Sequence, residues 1–271
     1  MTKAQSKITR RNDVFSGRVA TRIWQEQPAE DNPYAVEHSR CHGYELLDLV
    51  KKRSFVDVLF LLFRGELPTS DESELLEALM VAFINPGPRH PATRSAMNAG
   101  IGKTDPALIL PIALTAMSGK NNAAGAVEET MRFLRKQQRR QVSDVAMELI
   151  ENEVRPPEGD WIIALGFGSY YNSIDVQTNK MANHLVSLPA AGKALRWGQE
   201  FAEMIASYDL GWLPVGVVAA VLTDLGFQPR AAAGIYQIIS APGLLAHGIE
   251  LANKPLTDMP FLADEDYFIE E

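Results

Sequence analysis

The chain has one cysteine, no long apolar run and no excess of positive charge, and each shortage excludes a class of protein. The single cysteine, Cys41, rules out an internal disulfide and is typical of a reducing compartment. No apolar stretch approaches the roughly 20 residues that a membrane-spanning helix needs. The net charge is −8, from 34 acidic and 26 basic side chains. This balance argues against a nucleic-acid partner, because phosphates require a basic surface.

Residues 1–22 carry scattered lysines and arginines without an apolar core, so they do not predict a secretory signal. We therefore expect a cytoplasmic protein that has no membrane partner. At 271 residues, the chain is long enough for one large domain or two unequal ones. Its hydrophobic content of 46%, with 22% charged residues, is ordinary for a globular protein.

Apolar residues recur at spacings of three and four along most of the chain, whereas the alternation of a half-buried strand is nearly absent. This pattern predicts an all-α fold. Residues 1–40 are polar and irregular, and they are predicted to form an N-terminal arm. Helical segments are predicted over residues 43–64, 69–83, 104–117, 124–138, 142–150, 176–187, 190–207, 213–225, 231–239 and 244–253.

Capping residues mark several of these helix starts. Thr69, with Glu72 three residues later, forms a capping box. Asp105 precedes a proline, which is favoured in the first turn of a helix. Pro229 and Pro242 are placed in the same way, and they predict two separate helices near the end of the chain.

The stretch from Trp161 to Asp175 combines an apolar run, two glycines and a cluster of polar side chains. Gly166 and Gly168 are one residue apart and allow the backbone to approach closely whatever lies against the loop. The hydroxyls, amide and carboxylate that follow are common in binding sites on loops. Two interpretations are open at this point, a ligand-binding loop and an ordinary surface turn.

Several short motifs are incomplete. Met97 stands where a P-loop ending at residues 102–104 would need glycine. Tyr171 replaces the third glycine of a dinucleotide fingerprint that would begin at Gly166. The same tyrosine removes Ser169 from the G-x-S-x-G context of a hydrolase nucleophile.

Metal and phosphate sites are also poorly supported. His38, Cys41 and His42 could share a helix face, but no other segment supplies a fourth ligand, so we predict no metal site. The basic run 132–140 is interpreted as a solvated helix face rather than a phosphate site.

Four parts of the chain resemble, in order, the motifs of one known family. The first part is residues 43–69, which contain Gly43-Tyr44-Glu45-Leu46-Leu47-Asp48-Leu49, then Ser54-Phe55, then Leu61-Leu62-Phe63-Arg64-Gly65-Glu66-Leu67-Pro68-Thr69. The second is Gly119 to Val127, and the third is Gly166-Phe167-Gly168-Ser169. The fourth is Pro242-Gly243-Leu244-Leu245-Ala246-His247 with Glu250. The citrate synthases have "LL-x-GELPT", a histidine-glycine-glycine-alanine turn, a glycine-x-glycine-histidine loop and "G-x-x-AH-x-x-E" at the corresponding places. The chain therefore resembles this family, which includes the citryl-CoA lyase module of ATP-citrate lyase.

The resemblance implies a citrate-synthase-like fold with two helical domains. The large domain would comprise residues 1–120 and 220–271 with the N-terminal arm, and the smaller inserted domain residues 121–219. Members of the family form dimers whose active sites lie between the two domains. Segments 108–117 and 213–225 carry much apolar surface, so we expect a homodimer or a hetero-oligomer with an active relative.

The family chemistry defines the residues to look for. Condensation of acetyl-CoA with a keto acid, or the reverse cleavage, passes through an enolate of the thioester. A carboxylate takes the α-proton, and a histidine hydrogen-bonds the developing oxyanion. A second histidine polarises the keto carbonyl, and arginines bind the carboxylates of the acid.

Most of these roles fall on unsuitable residues in this chain. The replaced positions are Asn122 for the first histidine, Ser169 for the second, Tyr170 and Gln177 for two arginines, Gly216 for the catalytic aspartate and Ser240 for a third arginine. No carboxylate lies between Gly211 and Thr223 to replace the base. An amide such as that of Asn122 can donate a hydrogen bond but cannot shuttle a proton.

A few other residues could take the place of the missing catalytic and substrate-binding groups. His90 lies near the place of another substrate histidine of the family, and Arg89 or Arg94 could bind a carboxylate. We therefore predict Asn122, Ser169 and His90 at the catalytic positions. Substrate contacts are predicted at Arg89, Arg94, Gly166, Gly168, Asp175 and Ser240. His247 matches a family histidine that looks structural.

Three functional hypotheses follow. The first, which we favour, is a non-catalytic acyl-CoA-binding protein that acts as a regulatory or partner subunit. The second is an active enzyme of the same fold that makes or breaks a carbon–carbon bond on an acyl-CoA with altered residues. The third is a working citryl-CoA lyase hidden by a shifted alignment. In each case the expected ligand is CoA, an acyl-CoA or a small carboxylic acid, and no cofactor is bound permanently.

Overall fold

The computed structural model describes residues 15–152, 154–170, 172–260 and 262–269. These residues form eleven α-helices and six short strands. The mainly helical architecture confirms the predicted fold class. The chain divides into two compact units, residues 1–66 and residues 67–271. The domain boundaries near residues 120 and 220, which the family resemblance implies, stay a prediction.

The first unit contains a small antiparallel sheet followed by two helices. Its elements are β1 (Trp24–Pro28), β2 (Val36–Cys41), β3 (Tyr44–Glu45), α1 (Leu46–Lys52) and α2 (Phe55–Arg64). The strand order is β1-β2-β3. Ser54 and Asp57 form a capping box at the start of α2, and Gly65 ends that helix in the left-handed conformation.

The prediction of an irregular arm over residues 1–40 is wrong from Trp24 onward. β1 is exposed throughout, and only Cys41 of β2 is buried, so neither strand shows the apolar alternation that would reveal it in the sequence. Backbone pairing between the two strands holds them together. The helix-face arrangement of His38 and Cys41 is also wrong, because residues three apart on a strand point to opposite faces.

The second unit carries the remaining helices and a second small sheet. Its main elements are α3 (Ser70–Ala82), α4 (Pro91–Ile101), α5 (Pro106–Met117), α6 (Val127–Gln137), α7 (Val142–Asn152), β4 (Trp161–Ala164), β5 (Phe167–Ser169), α8 (Val176–Ser187), α9 (Lys193–Ile205), β6 (Gly211–Trp212), α10 (Pro214–Asp224) and α11 (Pro229–Ala252). The predicted capping box of Thr69 and Glu72 is confirmed at α3. Asp105 caps α5, as predicted, by accepting from the backbone N–H of Ala107.

A single helix, α11, replaces the two helices that were predicted around Pro242. Proline removes one helical hydrogen bond, and the next residue, Gly243, donates its N–H to the carbonyl of Ile84 instead. Ser240 is fully buried, and its hydroxyl donates to the carbonyl of Phe83. These two hydrogen bonds join α11, on either side of the proline, to the residues that follow α3.

α10 is a central helix of the second unit. Every residue from Val215 to Leu222 is buried. The next carboxylate along the chain, Asp224, accepts hydrogen bonds from the backbone N–H groups of Gly192, Ala194 and Leu195 at 3.0, 2.8 and 2.9 Å. Burial raises the pKa of Asp224, and these three N–H groups and the nearby Arg196 partly offset the rise. Asp224 therefore fixes the start of α9 against the end of α10.

The stretch that contains the two glycines forms a β-hairpin, which the sequence did not predict. β4 and β5 pair antiparallel, and β6 adds to β5, so the strand order is β4-β5-β6. Phe167 packs beneath the hairpin with its ring centroid 4.5 Å from that of Trp212 and 4.8 Å from that of Phe201. This aromatic cluster packs the hairpin against α9 and beside the start of α10.

Candidate active site

The turn of the hairpin lies against the first residues of α10. Gly166 adopts a left-handed conformation, with φ of 85°. Its carbonyl accepts the N–H of Leu213 at 3.0 Å. A Cβ atom added at Gly166 would lie 2.5 Å from the Cα atom of Gly216, so glycine is required for both its φ angle and the close approach. The close-approach role predicted for this glycine is therefore supported by the geometry.

A cavity of about 350 Å³, here called cavity A, opens beside this turn. Apolar side chains form much of its wall, and a cluster of polar groups forms the remainder. The lining residues are Lys120, Asn121, Asn122, Ala126, Glu129, Thr130, Asp160, Ile162, Leu165, Gly166, Tyr170, Leu213 and Val215. Its size and mixed lining are typical of a small-molecule site.

The position predicted for the catalytic carboxylate has no room for a side chain. A Cβ atom added at Gly216 would overlap the carbonyl oxygen of Gly166. The neighbouring side chain that does line cavity A belongs to Val215. Neither Gly216 nor Val215 carries a carboxylate.

Asn122 connects three parts of the site. Its backbone is left-handed, with φ of 49°, a conformation that asparagine tolerates better than most residues. Its carbonyl accepts the Nε2–H of His90 at 2.9 Å, while Nδ1 of His90 accepts the backbone N–H of Ala92 at 3.1 Å. These two bonds fix the neutral tautomer of His90. The Oδ1 atom of Asn122 is buried and has no hydrogen-bond partner among the described residues.

Tyr170 stands on the wall of cavity A next to Asn122. Burial, followed by the negative charges of Asp160 and Asp175, raises the pKa of Tyr170 to about 12. The nearby backbone N–H of Asn122 acts in the opposite direction. Tyr170 is therefore neutral at physiological pH and keeps its hydroxyl proton.

A smaller cavity of about 190 Å³, here called cavity B, shares Asn122 with cavity A. Its lining residues are Ala82, Phe83, Asn85, Pro86, His90, Asn122, Asp175, Gln177, Thr178, Met181, Pro214 and Tyr236. Asp175 caps α8 and accepts from the N–H and the hydroxyl of Thr178 at 2.9 and 2.7 Å. Among the described residues that line cavity B, none is a lysine or an arginine.

Comparison with solved structures places this fold among known proteins. The citryl-CoA lyase of Hydrogenobacter thermophilus is similar over 93% of this chain and 95% of its own, with a TM-score of 0.75 and 27% sequence identity. This chain therefore resembles the citrate synthases and citryl-CoA lyases in fold. The resemblance found in the sequence motifs is thereby confirmed.

More distant members of the family share the fold. ATP citrate lyase of Methanothrix soehngenii, solved with citrate and coenzyme A, matches 95% of this chain and 44% of its own, with a TM-score of 0.69 and 15% identity. Citrate synthase of Thermoplasma acidophilum, solved with carboxymethyl coenzyme A and oxaloacetate, matches 80% of this chain and 57% of its own, with a TM-score of 0.59 and 16% identity. No protein-family model and no curated protein sequence matches the chain.

The structure brings some of the predicted site residues together. Asn122 lines both cavities, His90 and Asp175 line cavity B, and Gly166 lines cavity A. His90 is buried and caps α4 from the residue before the helix. Its imidazole is held against the backbone of Asn122.

The other predicted residues lie outside these two cavities. Ser169 is 1% exposed, and its hydroxyl has no hydrogen-bond partner among the described residues. Gly168 packs closely on β4, where an added Cβ atom would overlap the carbonyl of Trp161. Ser240 is bonded to the end of α3. Arg89 and Arg94 are exposed and line neither cavity A nor cavity B.

Two polar residues of cavity A, and the position of Tyr170 on its wall, were not predicted from the sequence. Asp160 and Glu129 both contribute carboxylates to this wall. Glu129 is 3.6 Å from Lys120, and this exposed ion pair lies on the same wall. Asp160 follows the turn at residues 156–159 and matches no family motif, so only the fold reveals its proximity to Tyr170.

The described residues provide little support for other kinds of site. They contain no group of three histidine, cysteine, aspartate or glutamate side chains that could hold a metal ion. Within the same part of the chain, no helix combines the length and the apolar character needed to cross a membrane.

Proposed function

We propose that this chain binds an acyl-CoA in cavity A and carries out neither citrate synthesis nor citryl-CoA cleavage. It would act as a regulatory or partner subunit, either as a homodimer or together with an active relative. The observation that carries this proposal is the pair Val215–Gly216, where the family reaction needs a carboxylate. No carboxylate lies between Gly211 and Thr223, and Asp224 is held by three backbone N–H groups.

The loss of the base bears directly on the reaction rate. Enolisation of a thioester needs a positioned base, and removal of one acid–base group costs about 10²- to 10⁴-fold in rate. The arginines that bind the acid are missing as well, since Gln177 and Asp175 line cavity B without a lysine or arginine among its described residues. The absence of several catalytic and substrate-binding groups from one site supports a binding role rather than slow catalysis.

Acyl-CoA binding does not require the missing groups. A thioester and its pantetheine arm can be held by backbone and apolar contacts, which Gly166, Leu165 and Ile162 provide in cavity A. Lys120, on the wall of the same cavity, is 76% exposed, and a phosphate group would compete with Glu129 for its ammonium group. The structures solved with coenzyme A belong to proteins of the same fold.

The proposal is tested by measuring turnover and binding on the same preparation. We expect no thiol release from acetyl-CoA and oxaloacetate, and no cleavage of citryl-CoA, above background. A turnover of about 1 per second, near the low end for ordinary enzymes, would contradict the proposal. Acetyl-CoA at a hundred times its dissociation constant is expected to stabilise the protein by about 2.7 kcal/mol.

A matched pair of variants locates the ligand. Ile162→Trp fills cavity A from the half-exposed edge of β4 and is expected to abolish the thermal shift with acetyl-CoA. Ile238→Trp makes the same change at a similarly exposed position on α11, outside that cavity, and is expected to retain the shift. Equal shifts in both variants would place the ligand elsewhere.

A second candidate function is an enzyme that deprotonates an acyl-CoA with a different base. Asp160 favours it, because this carboxylate lines cavity A and acts on Tyr170 electrostatically. Exchange of the α-protons of acetyl-CoA in D₂O, followed by NMR, tests this function directly. Exchange that is fast in the wild type and lost in Asp160→Asn would favour the enzyme over the binding protein.

A further inference from the structure

The lining of cavity A separates into a charged end and an apolar end. The charged end, here called the rim, is formed by Lys120, Glu129 and Asp160, which hold all the charges of the described lining and are exposed. The apolar end, here called the floor, is formed by Thr130, Leu213 and Val215, which are 0, 3 and 4% exposed. Polarity therefore falls from the mouth of the cavity to its buried end.

Thr130 contributes hydrocarbon to the floor although it is a polar residue. Its hydroxyl donates to the carbonyl of Ala126, one helical turn earlier in the chain, at 2.8 Å. Its Cγ2 methyl group lies beside the hairpin turn, since a Cβ atom added at Gly166 would be 2.8 Å from it. The hydroxyl is thus bonded within the protein, and the methyl group lies next to the turn at the cavity wall.

The start of α10 adds few groups that could bind an anion. Pro214 has no N–H, and the N–H of Gly216 donates to the carbonyl of Leu213 at 2.9 Å. The side chain between them, Val215, is a branched hydrocarbon. A carboxylate at this end of the cavity would lose its hydration without gaining an ion pair, because the one cation of the described lining, Lys120, lies at the rim. The floor therefore favours an uncharged group.

Cavity A is larger than an acetyl group requires. Its volume is about 350 Å³. An apolar cavity of about 150 Å³ in a protein interior is sufficient for a six-carbon ring. The two carbons of an acetyl group would leave most of the floor without contact, and atoms that line an empty space lose dispersion contacts. A longer alkyl chain would make these contacts.

We propose that the floor of cavity A binds the alkyl chain of an uncharged acyl-CoA of about six acyl carbons or more, rather than an acetyl group. This inference rests on the proposed acyl-CoA-binding function and specifies the class of acyl group. The chain end lies against Leu213 and Val215, and the thioester lies toward Ile162 and Leu165, which are 42% and 38% exposed. Because each buried methylene group strengthens binding by about 4-fold, the floor makes the protein selective for chain length.

A series of ligands that differ only in acyl length tests this inference. Calorimetry at pH 7.5 compares acetyl-CoA, butyryl-CoA and hexanoyl-CoA. The affinity for hexanoyl-CoA is expected to exceed that for acetyl-CoA by at least about 50-fold, since it adds four methylene groups to the buried chain. Equal affinities would overturn the inference and leave acyl-CoA binding intact. Binding of none of the three compounds would overturn both proposals.

A charged analogue separates the polarity of the floor from its size. Hexanedioyl-CoA has the same number of acyl carbons as hexanoyl-CoA and carries a carboxylate in place of the terminal methyl group. It is expected to bind at least about 10-fold more weakly than hexanoyl-CoA, because its carboxylate would be desolvated without a cation at the floor. Equal binding of the two compounds would overturn the assignment of an uncharged chain.

Two variants fill the floor from different helices. Val215→Phe adds a ring from α10, and Ala126→Leu adds a larger side chain at the half-buried residue before α6. Each is expected to weaken hexanoyl-CoA binding by at least about 10-fold and to keep the affinity for acetyl-CoA within about 3-fold of the wild type. Val81→Phe, at an exposed position on α3, is the control and is expected to bind both ligands as the wild type does. A hexanoyl-CoA preference that persists in both filled variants would contradict the proposal.

An NMR measurement locates the chain independently of affinity. In protein with ¹³C-labelled leucine and valine methyl groups, the terminal methyl group of bound hexanoyl-CoA is expected to show nuclear Overhauser effects to Leu213 and Val215. These contacts are expected to persist in Val81→Phe. Effects to Leu165 without any to Val215 would place the chain end at the half-exposed mouth of the cavity and overturn the inference.

Discussion

Gly166 and Gly216 meet backbone to backbone at the wall of cavity A. A Cβ atom at Gly166 would lie 2.5 Å from the Cα atom of Gly216, and a Cβ atom at Gly216 would overlap the Gly166 carbonyl. The contact joins the hairpin turn to the first turn of α10. It therefore sets the distance between the wall that carries Tyr170 and the wall that carries Val215.

The first prediction concerns this contact. Gly216→Ala is expected to destabilise the protein by about 1–3 kcal/mol, because the added methyl group forces the hairpin away from α10. The control is Gly234→Ala on α11, where an added Cβ atom meets nothing within 4 Å. That change is expected to stabilise the protein by up to about 1 kcal/mol. Urea unfolding of the two variants gives both values, and equal stability of both would contradict the close contact.

The sequence predicted the helical part of the fold well because its signals are local. The capping box at Thr69 and the cap at Asp105 are formed by residues within four positions of each other, and both are confirmed. β1 and β2 have no such signal, since their stability comes from pairing of exposed backbone. The N–H of Gly243, next to Pro242 in α11, bonds the carbonyl of Ile84, which lies far away in the chain and gives no local signal.

The same distinction applies to the site. The need for close backbone approach at Gly166 was visible from the two glycines alone. Which side chain faces the cavity was not visible, because the contact between Gly216 and Gly166 that leaves Val215 on the cavity wall arises only in the fold. Asp160 could be assigned to the site only from the fold, which brings the residue before β4 close to Tyr170.

The second prediction concerns alkaline pH. Tyrosine ionises near pH 10 in an unfolded chain, whereas the pKa of Tyr170 is raised to about 12 and burial also raises that of Tyr236. Between these values the native state holds more protons than the unfolded state, so stability falls as pH rises from about 10 to 12.

Urea unfolding at several pH values, together with absorbance at 295 nm, measures this effect. Tyr170→Phe is expected to lose stability less steeply than the wild type between pH 10 and pH 12. The control Tyr208→Phe is expected to follow the wild type. A spectrophotometric titration in which all seven tyrosines ionise together near pH 10 would contradict the raised pKa values.

The third prediction concerns assembly. α10 cannot supply the apolar interface expected from residues 213–225, because the second unit buries it. α5 still presents Leu108 and Ile112, which are 53% and 39% exposed. We expect a homodimer that uses this face, and Leu108→Glu with Ile112→Glu is expected to give a monomer at micromolar concentration.

Analytical ultracentrifugation measures the mass of each species. Val81→Glu on α3, a substitution at an apolar residue that is 66% exposed, is the control and is expected to remain dimeric. A wild-type chain that sediments only as a monomer would contradict the prediction, as would a dimer that tolerates both glutamates on α5.

The fourth prediction concerns the charge of cavity B. Its described lining contains the carboxylate of Asp175 and no lysine or arginine, so citrate and oxaloacetate are expected to bind the wild type poorly. Gln177 lines this cavity on the first turn of α8, at the place where the family resemblance leads us to expect an arginine. Gln177→Arg supplies a planar donor pair for a carboxylate.

A thermal-shift titration with citrate at pH 7.5 compares the variants. A hydrogen bond to a charged group contributes about 1.5–3 kcal/mol, so Gln177→Arg is expected to bind citrate about 10- to 100-fold more tightly than the wild type. Gln177→Met has a similar length without the charge and is expected to show no gain. If the wild type already binds citrate as tightly as Gln177→Arg, cavity B accepts a carboxylate through groups other than arginine. The explanation based on its missing positive charge would then be wrong.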